Sequence, residues 1–219
     1  MIDWNFMVTY SPRLLKACEV TFGISVTSLA LSTVAGLGIA LLRLSPRRIL
    51  SSTAWIYVWI VRGTPLLLQL FAIYYAMPMT GLRLDPWTAG ILTLSLNSSA
   101  YFSEIFRSAI QSIPTGQTEA AIAIGMGPLQ TLRRIVIPLS LRPALPPYIG
   151  QAITLLKNSS LVSIIAVPDL MQTAQSIYST TFKVVEVMLM TGVLYLIMTS
   201  LLQIAQTSLE RRLSYYTVK

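Results

Sequence analysis

The stretch EAAIAIGMGPLQTLRRIVIP, residues 119–138, lies between two long apolar segments, yet it is too interrupted to cross a membrane itself. Residues 117–124 are good helix formers, and the sequence GMGP at 125–128 breaks this helix and favours the start of a second one. The second helix, 129–137, is predicted to stop at Pro138, with its apolar side chains at helical spacing: Leu129, Leu132, Ile135 and Val136. Such an element either offers a knob to a soluble partner or caps a helix bundle, and periodicity alone leaves both interpretations open.

The composition indicates lipid as the solvent of most of the chain. Of the 219 residues, 54% are hydrophobic and 11% are charged, which is more apolar surface than one soluble core of this size can bury. A membrane span needs about 20 predominantly apolar residues. The sequence predicts an all-α, polytopic membrane protein with five transmembrane helices, in one transmembrane domain over residues 1–219. The predicted spans are 20–42, 54–78, 87–106, 144–166 and 184–206, with a cytoplasmic element at 116–137 between spans three and four.

The segments that flank the spans carry their own predictions. Residues 1–19 suit a short interfacial segment on the outer surface, and 166–183 is long enough for a small outer helix. Three prolines cluster where span four begins, and we expect them to end one helix and start another: Pro143, Pro146 and Pro147.

The net charge of +8 does not indicate nucleic-acid binding, because its distribution follows the positive-inside rule. With the N-terminus outside, ten basic residues fall in cytoplasmic segments: Arg43, Arg47, Arg48, Arg107, Arg133, Arg134, Arg142, Arg211, Arg212 and Lys219. Four fall outside: Arg13, Lys16, Arg83 and Lys183. The sequence therefore predicts an outer N-terminus, a cytoplasmic C-terminus, and lipid as the surrounding medium.

Several chemistries are excluded by residues that the sequence lacks. Cys18 is the single cysteine, so the chain has no internal disulfide, and it has no histidine for metal or general-base chemistry. We therefore expect no metal site and no cofactor on this chain. The phosphate-binding pattern GxxxxGK[ST] is also absent, so any ATP hydrolysis must take place on another subunit.

Ionisable side chains inside spans are costly and mark pathways or partners. Asn97, Tyr101 and Glu104 share one face of span three, with Arg107 one turn below. They form either a substrate-facing polar stripe or a structural pair of Glu104 with Arg107, with Asn97 as an interhelical contact. In span four, Lys157, Asn158 and Ser160 are predicted to lie near the middle, where Lys157 would meet a substrate carboxylate or pair with Glu104.

The sequence Arg62, Gly63, Thr64, Pro65 interrupts span two. Pro65 lacks an N–H and so frees the carbonyl of Val61, which we expect Thr64 to help satisfy. This stretch is a candidate gate or hinge, or a simple helix entry near the interface.

The spacing in the opening stretch resembles the EAA motif of ABC-importer permeases. The matching positions are Glu119, Ala120, Ala121, Gly125, Ile135, Ile137 and Pro138, with Ile137 where the usual residue is leucine. Nearly the whole chain resembles the polar amino-acid permeases of that superfamily, through VRGTPLLLQLF (61–71), AYFSEIFRSAIQSIPTGQTEAAIAIGM (100–126) and LLKNSSLVSI (155–164). The resemblance assigns residues of the motif to a coupling helix that docks on a cytoplasmic ATPase: Glu119, Ala120, Ala121 and Gly125.

The resemblance implies a non-enzymatic permease in a bacterial inner membrane that works by alternating access. Its implied partners are two ATP-binding subunits, an identical or homologous permease, and an extracytoplasmic amino-acid-binding protein. Three rivals are weaker. An ion channel would need a re-entrant filter or a ring of like charges, and a secondary transporter usually shows an internal repeat. A membrane-embedded enzyme is disfavoured because histidine and clustered carboxylates are absent.

Overall fold

The computed structural model describes residues 3–214, with side chains described as far as residue 208, so that Lys219 of the charge count lies outside it. All regular structure in these residues is helical. The α-helices are α1 (Trp4–Arg43), α2 (Arg48–Gly63), α3 (Leu66–Phe71), α4 (Pro86–Gln111), α5 (Thr115–Ala123), α6 (Pro128–Thr131), α7 (Ile137–Asn158), α8 (Leu170–Thr181) and α9 (Val184–Ser214). Short π-helical and 3₁₀ turns join some of them: Ala72–Ala76, Met77–Thr80, Leu132–Val136 and Ser159–Ile165.

The all-helical membrane architecture is confirmed. Two helical segments of the described chain, Trp4–Arg43 and Val184–Ser208, are long and apolar enough to cross a membrane, and the number rises to four if each of two bent helix pairs counts as one span. The third predicted span, 87–106, corresponds to α4, which does not meet this measure because it is rich in polar residues. These polar residues are buried against the other helices: Thr93, Ser95, Asn97, Ser98, Ser99 and Ser103.

The predicted interfacial segment 1–19 is not a separate element, because α1 runs without interruption from Trp4 to Arg43. Pro12 lies inside this helix and cannot donate to the carbonyl of Val8. The hydroxyl of Ser11 donates to that carbonyl instead, at 3.0 Å, so the helix continues through the proline. The 12-residue helix α8 matches the short helix expected between spans four and five.

The prediction that the second helix of the opening stretch stops at Pro138 is wrong. A continuous helix runs from Pro128 to Ile165, through the π-helical turn Leu132–Val136, so the predicted element 116–137 and the predicted span 144–166 are not separate. Pro138 lies two residues after the end of the π-helical turn at Val136, and such local changes of helix type let membrane helices tolerate proline. The three clustered prolines lie inside α7 rather than between two helices: Pro143, Pro146 and Pro147.

Helix α4 is the centre of the bundle and packs against α1, α2 and α7. Helices α1 and α4 lie close together at Gly36, where an added Cβ would lie 2.7 Å from the Cβ of Phe102 and 3.0 Å from the backbone oxygen of Ser99. Small residues allow such close approach of helices in lipid, where no hydrophobic driving force brings helices together. Gly36 of span one thus permits the close packing of α1 on α4.

Two apolar clusters hold the remaining helices. The first joins α1, α8 and α9 through Leu14, Ala17, Leu170, Ala174, Ile177 and Val187. The second joins α1, α3, α4 and the 3₁₀ turn before α8 through Ile24, Leu70, Ala89, Leu94, Val162 and Ile165. Asp85 caps the start of α4 by accepting from the backbone N–H groups of Trp87 and Thr88, and the hydrogen bonds from Thr88 lower the pKa of its carboxyl.

Candidate functional site

The coupling motif folds as helix α5 and a tight turn. The N–H of Gly125 donates to the carbonyl of Ile122 at 2.9 Å, and the N–H of Met126 donates to the carbonyl of Ala121 at 3.0 Å. This pair of bonds is a Schellman motif, which needs a left-handed residue after the helix, and Gly125 supplies it with a φ of +82°. The glycine of the motif is therefore required by the backbone of the turn.

The side chains of the motif divide between a packed side and an exposed side. Ala121 is buried, whereas Glu119, Ala120 and Gly125 are exposed. Three apolar side chains beside them are also largely exposed: Ile122 (64%), Ile124 (78%) and Leu129 (76%). Leu129 was predicted to lie on the apolar face of the second helix, whereas Ile122 and Ile124 had no predicted role. The exposure of these three side chains could not be predicted from the sequence, because it depends on no other helix packing over them in the tertiary structure.

Span two is broken at the candidate hinge. Helix α2 ends at Gly63, and the next helical segment, Leu66–Thr80, is turned by 106°, so the predicted span 54–78 is not one continuous helix. Thr64 and Pro65 both adopt extended backbone angles between the two segments. The backbone break is a fact of the structure, and the role of Arg62, Gly63, Thr64 and Pro65 as a gate stays a prediction.

The amide of Gln69 holds this break in place. Its Nε2 donates to the carbonyl of Val61 at 2.8 Å and to the Thr64 hydroxyl at 2.9 Å, and its Oε1 accepts from Asn97 on α4 at 3.1 Å. Thr64 does not satisfy Val61 as expected, because its hydroxyl donates to the carbonyl of Ile60 at 2.9 Å. A polar side chain in a broken membrane helix thus satisfies the freed backbone groups. The signal for Gln69 was present in the sequence as an amide inside an apolar run.

Two residues of the polar stripe on α4, Asn97 and Glu104, form contacts within the protein. Glu104 forms ion pairs with Arg43 of α1 and Arg107 of α4, and the Nε of Arg107 donates to its Oε1 at 3.0 Å. Asn97 is buried and bonds Gln69, so it is an interhelical contact. Arg43 was not predicted as a partner of Glu104, because it lies 61 residues away at the end of α1.

Two cavities meet at Arg62, Tyr101 and Glu104. One, of about 460 Å³, extends along α7 past Pro143, Pro147 and Gln151, and the other, of about 410 Å³, lies against Trp55 and Trp59 of α2. The guanidinium carbon of Arg62 lies 5.2 Å from the centroid of the Tyr101 ring, which is cation–π geometry. Arg62 forms no ion pair in residues 3–208, so its charge is available to an anionic group in these cavities.

The candidate residues of span four lie elsewhere. Lys157 is exposed in the last turn of α7, and it does not form a salt bridge with Glu104. Lys157 and Ser160 line a separate cavity of about 340 Å³ together with Thr191 and Tyr195 of α9. Asn158 is half-buried beside them. The predicted pathway residues thus fall into two separate sites, one beside the middle of α7 at residues 143–151 and one at its C-terminal end.

The comparisons with known proteins agree with this architecture. A family model described as "Binding-protein-dependent transport system inner membrane component" matches residues 32–215. The nopaline transport system permease protein NocM of Agrobacterium fabrum is 40% identical over 90% of this chain and 86% of its own length. The glutamine transport system permease protein GlnP of Escherichia coli is 37% identical over 96% of this chain and 97% of its own. A solved structure, "Crystal structure of an amino acid ABC transporter with histidines", matches with a TM-score of 0.90 and 33% identity, over 97% of this chain and 99% of that one.

The chain therefore belongs to the family of inner membrane components of binding-protein-dependent transport systems. It is the permease subunit of an ABC importer, and the resemblance drawn from the EAA motif is confirmed. Membership does not test the individual site residues, whose roles stay predictions.

Proposed function

We propose that this permease moves polar amino acids into the bacterial cytoplasm by alternating access, as one of two identical or homologous permease subunits. Two cytoplasmic ATP-binding subunits drive it, and an extracytoplasmic amino-acid-binding protein delivers the solute. The N-terminus lies outside and the C-terminus in the cytoplasm. The observation that carries the proposal is the similarity over nearly the full length to permeases whose names specify nopaline and glutamine transport.

The exposed face of the motif supports α5 as the coupling helix. Ile122, Ile124 and Leu129 present apolar surface on the same helix and turn as the exposed Glu119, and this combination suits the apolar centre and polar rim of a protein interface. Ala120 adds a small exposed side chain that permits close approach. The ATP-binding subunit docks on this surface and moves it.

The two polar sites support two stations for the solute. We call the site nearer the coupling element the inner station, and it offers the guanidinium of Arg62 over the ring of Tyr101. We call the site at the C-terminal end of α7 the outer station, and it offers the ammonium of Lys157 together with Ser160. A cation at each station suits the carboxylate of an amino acid. Glu104 is already neutralised by two arginines, so it shapes the inner station rather than binding the amino group.

Transport measurements on the reconstituted complex test the proposal. The complex is purified through a tag on this chain, placed in proteoliposomes with ATP enclosed, and assayed for uptake of radiolabelled amino acids with a binding protein added. We expect uptake that persists when ionophores collapse the ion gradients and stops when the ATP is withheld. Uptake that follows the ion gradient without ATP would instead identify a secondary transporter.

The coupling assignment is tested by Glu119→Lys, with Gln117→Lys as a control two residues away on another side of the same helix. We expect Glu119→Lys to abolish most transport while membrane insertion and yield are retained, and Gln117→Lys to stay near the wild-type rate. Equal rates in both variants would remove Glu119 from the interface.

The outer station is tested by Lys157→Met, measured as uptake against solute concentration. The substitution keeps an unbranched chain but removes the charge. We expect weaker apparent affinity for the solute while the ATPase still copurifies. Wild-type kinetics would make Lys157 a structural residue.

A further inference from the structure

An apolar groove lies behind the inner station, between α1, α4 and α7. Its volume is about 250 Å³, far above the roughly 10–15 Å³ that a cavity needs to hold one water molecule. Leu37, Phe106, Ile110, Ile137 and Leu141 line it. The groove shares Ala109 with the larger polar cavity, so the two spaces lie on either side of one wall.

The polar side chains in the groove wall do not invite a polar ligand. Thr33 donates to the carbonyl of Leu29 at 2.6 Å and bonds the hydroxyl of Tyr148 at 2.8 Å. Ser140 donates to the carbonyl of Ile137 at 2.9 Å. Because these hydroxyls find partners within the protein, the groove presents hydrocarbon to whatever enters it, and water is a poor occupant.

The mouth of the groove opens on surface that suits lipid. Leu141 is 52% exposed, and on α1 the side chains of Val34 and Leu41 continue the apolar surface from Leu37. The groove lies in the half of the membrane nearer the coupling element, since Ile137 begins α7 and Ile110 is close to the end of α4. An acyl chain from the leaflet on that side has direct access to it.

Two arginines stand at the end of the groove where a headgroup would lie. Ile137, Leu141, Ala144 and Tyr148 form one stripe along the helix, and residues 133 and 134 lie one turn before its first member. Arg133 and Arg134 are both exposed, and neither forms a salt bridge in residues 3–208. Guanidinium groups suit phosphate oxygens, with which they form paired hydrogen bonds.

We propose that this groove binds an acyl chain of an anionic phospholipid from the leaflet on the coupling-helix side, with Arg133 and Arg134 holding its phosphate. Two features select the lipid: the apolar groove accommodates the acyl chain, and the two guanidinium groups bind the anionic headgroup. The site adjoins the transport cavity through Ala109 and begins at the helix that leads from the coupling element, so its occupant contacts both.

Photolabelling of the whole complex tests this site. The complex is reconstituted in nanodiscs that contain phosphatidylglycerol or phosphatidylcholine carrying a diazirine in one acyl chain, and labelled peptides are identified by mass spectrometry. An arginine near a membrane surface contributes about 1 kcal/mol of attraction to anionic lipid, or about a fivefold preference. We expect phosphatidylglycerol to label peptides of α4 and α7 at least about fivefold more than phosphatidylcholine does.

Variants separate the headgroup from the groove. The double variant Arg133→Gln, Arg134→Gln is expected to lower phosphatidylglycerol labelling to the level of phosphatidylcholine, whereas the control Arg47→Gln, Arg48→Gln, an exposed basic pair outside the groove lining, keeps the wild-type value. Leu141→Trp, at the exposed mouth, is expected to lower the labelling by both lipids. Size-exclusion chromatography with the ATPase checks that every variant assembles.

Three results would overturn the proposal. Equal labelling by both lipids in the wild type would remove the role of the arginines. Labelling confined to other helices would remove the groove. A photoreactive amino acid at position 141 that cross-links to a second permease chain instead of to lipid would make this face a subunit interface.

Discussion

The close approach of α1 to α4 makes a sharp prediction about Gly36. A methyl group at this position would lie 2.7 Å from the Cβ of Phe102, 3.0 Å from the carbonyl oxygen of Ser99 and 3.2 Å from the amide nitrogen of Ser103. These atoms belong to the backbone of α4 or are fixed to it, so none of them can rotate away. Gly38 on the same helix has no atom within 4 Å of an added Cβ and is a matched control.

The variants Gly36→Ala and Gly38→Ala share the gain in helix propensity but differ in the cost of steric overlap. Alanine favours a helix over glycine by about 0.8–1.0 kcal/mol, and this gain applies to both positions. Inserting an extra carbon into a packed contact costs about 1–3 kcal/mol, and this cost applies only at Gly36. The gain cancels in the comparison, so we expect Gly36→Ala to be less stable than Gly38→Ala by about 1–3 kcal/mol.

Thermal unfolding of the purified complex measures this difference. For a chain of this length, 1 kcal/mol corresponds to a shift of about 2–4 °C in the midpoint. Aliquots heated to a series of temperatures are analysed by size-exclusion chromatography with a fluorescent tag on the permease. We expect Gly38→Ala to melt at or above the wild-type temperature and Gly36→Ala to melt below it. Equal midpoints for the two variants would show that the helices are not in contact at Gly36.

Three further predictions concern the site. Gln69→Leu removes the hydrogen bonds to Val61, Thr64 and Asn97, and at about 0.6 kcal/mol for each membrane hydrogen bond we expect the stability to fall by about 2 kcal/mol. We also expect lower transport and faster proteolysis near the bend, and a smaller effect for Asn97→Ala, which loses one of these bonds. Gly125→Ala places a side chain at a φ of +82°, at a cost of about 1–2 kcal/mol, and should weaken copurification of the ATPase, whereas Gly127→Ala, at a φ of −70° with open space around it, should not. Glu104→Gln leaves Arg43 and Arg107 without a carboxylate and should lower stability by about 1–3 kcal/mol, whereas Glu119→Gln at an exposed position should cause no loss. Equal melting temperatures for the two variants would show that the ion pairs of Glu104 do not stabilise the fold.

The sequence predicts most of the fold that depends on local chemistry. The turn at Gly125 follows from one glycine between two helices, and the end of α2 follows from Thr64 and Pro65. The angle of 106° at that end does not follow, because it depends on Gln69 bonding both the free carbonyl of Val61 and the side chain of Asn97, which lies 28 residues further along the chain. Contacts between distant segments determine what a local break becomes.

The candidate site divides in the same way. The stripe of Asn97, Tyr101 and Glu104 on one face of α4 is visible from helical spacing, but Arg43 arrives from another helix and converts Glu104 into a structural anchor. Lys157 was expected either to meet a substrate carboxylate or to pair with Glu104, because both charged residues lie in apolar segments. The sequence does not show how α4 and α7 lie relative to each other. In the structure Lys157 lies at the C-terminal end of α7, away from the coupling element, and lines a different cavity from Glu104.

The continuity of the helix Pro128–Ile165 changes how α5 can act on the transport cavity. If the helix had ended at Pro138, a movement of α5 would reach the cavity through a flexible joint that absorbs it. In the structure, the segment that leaves the turn at Gly125 continues directly to Pro143, Pro147 and Gln151 in the cavity wall. If α5 is the coupling helix, as proposed, a displacement of α5 would be transmitted along this helix. The π-helical turn Leu132–Val136 and the prolines of α7 are the points at which the helix would bend.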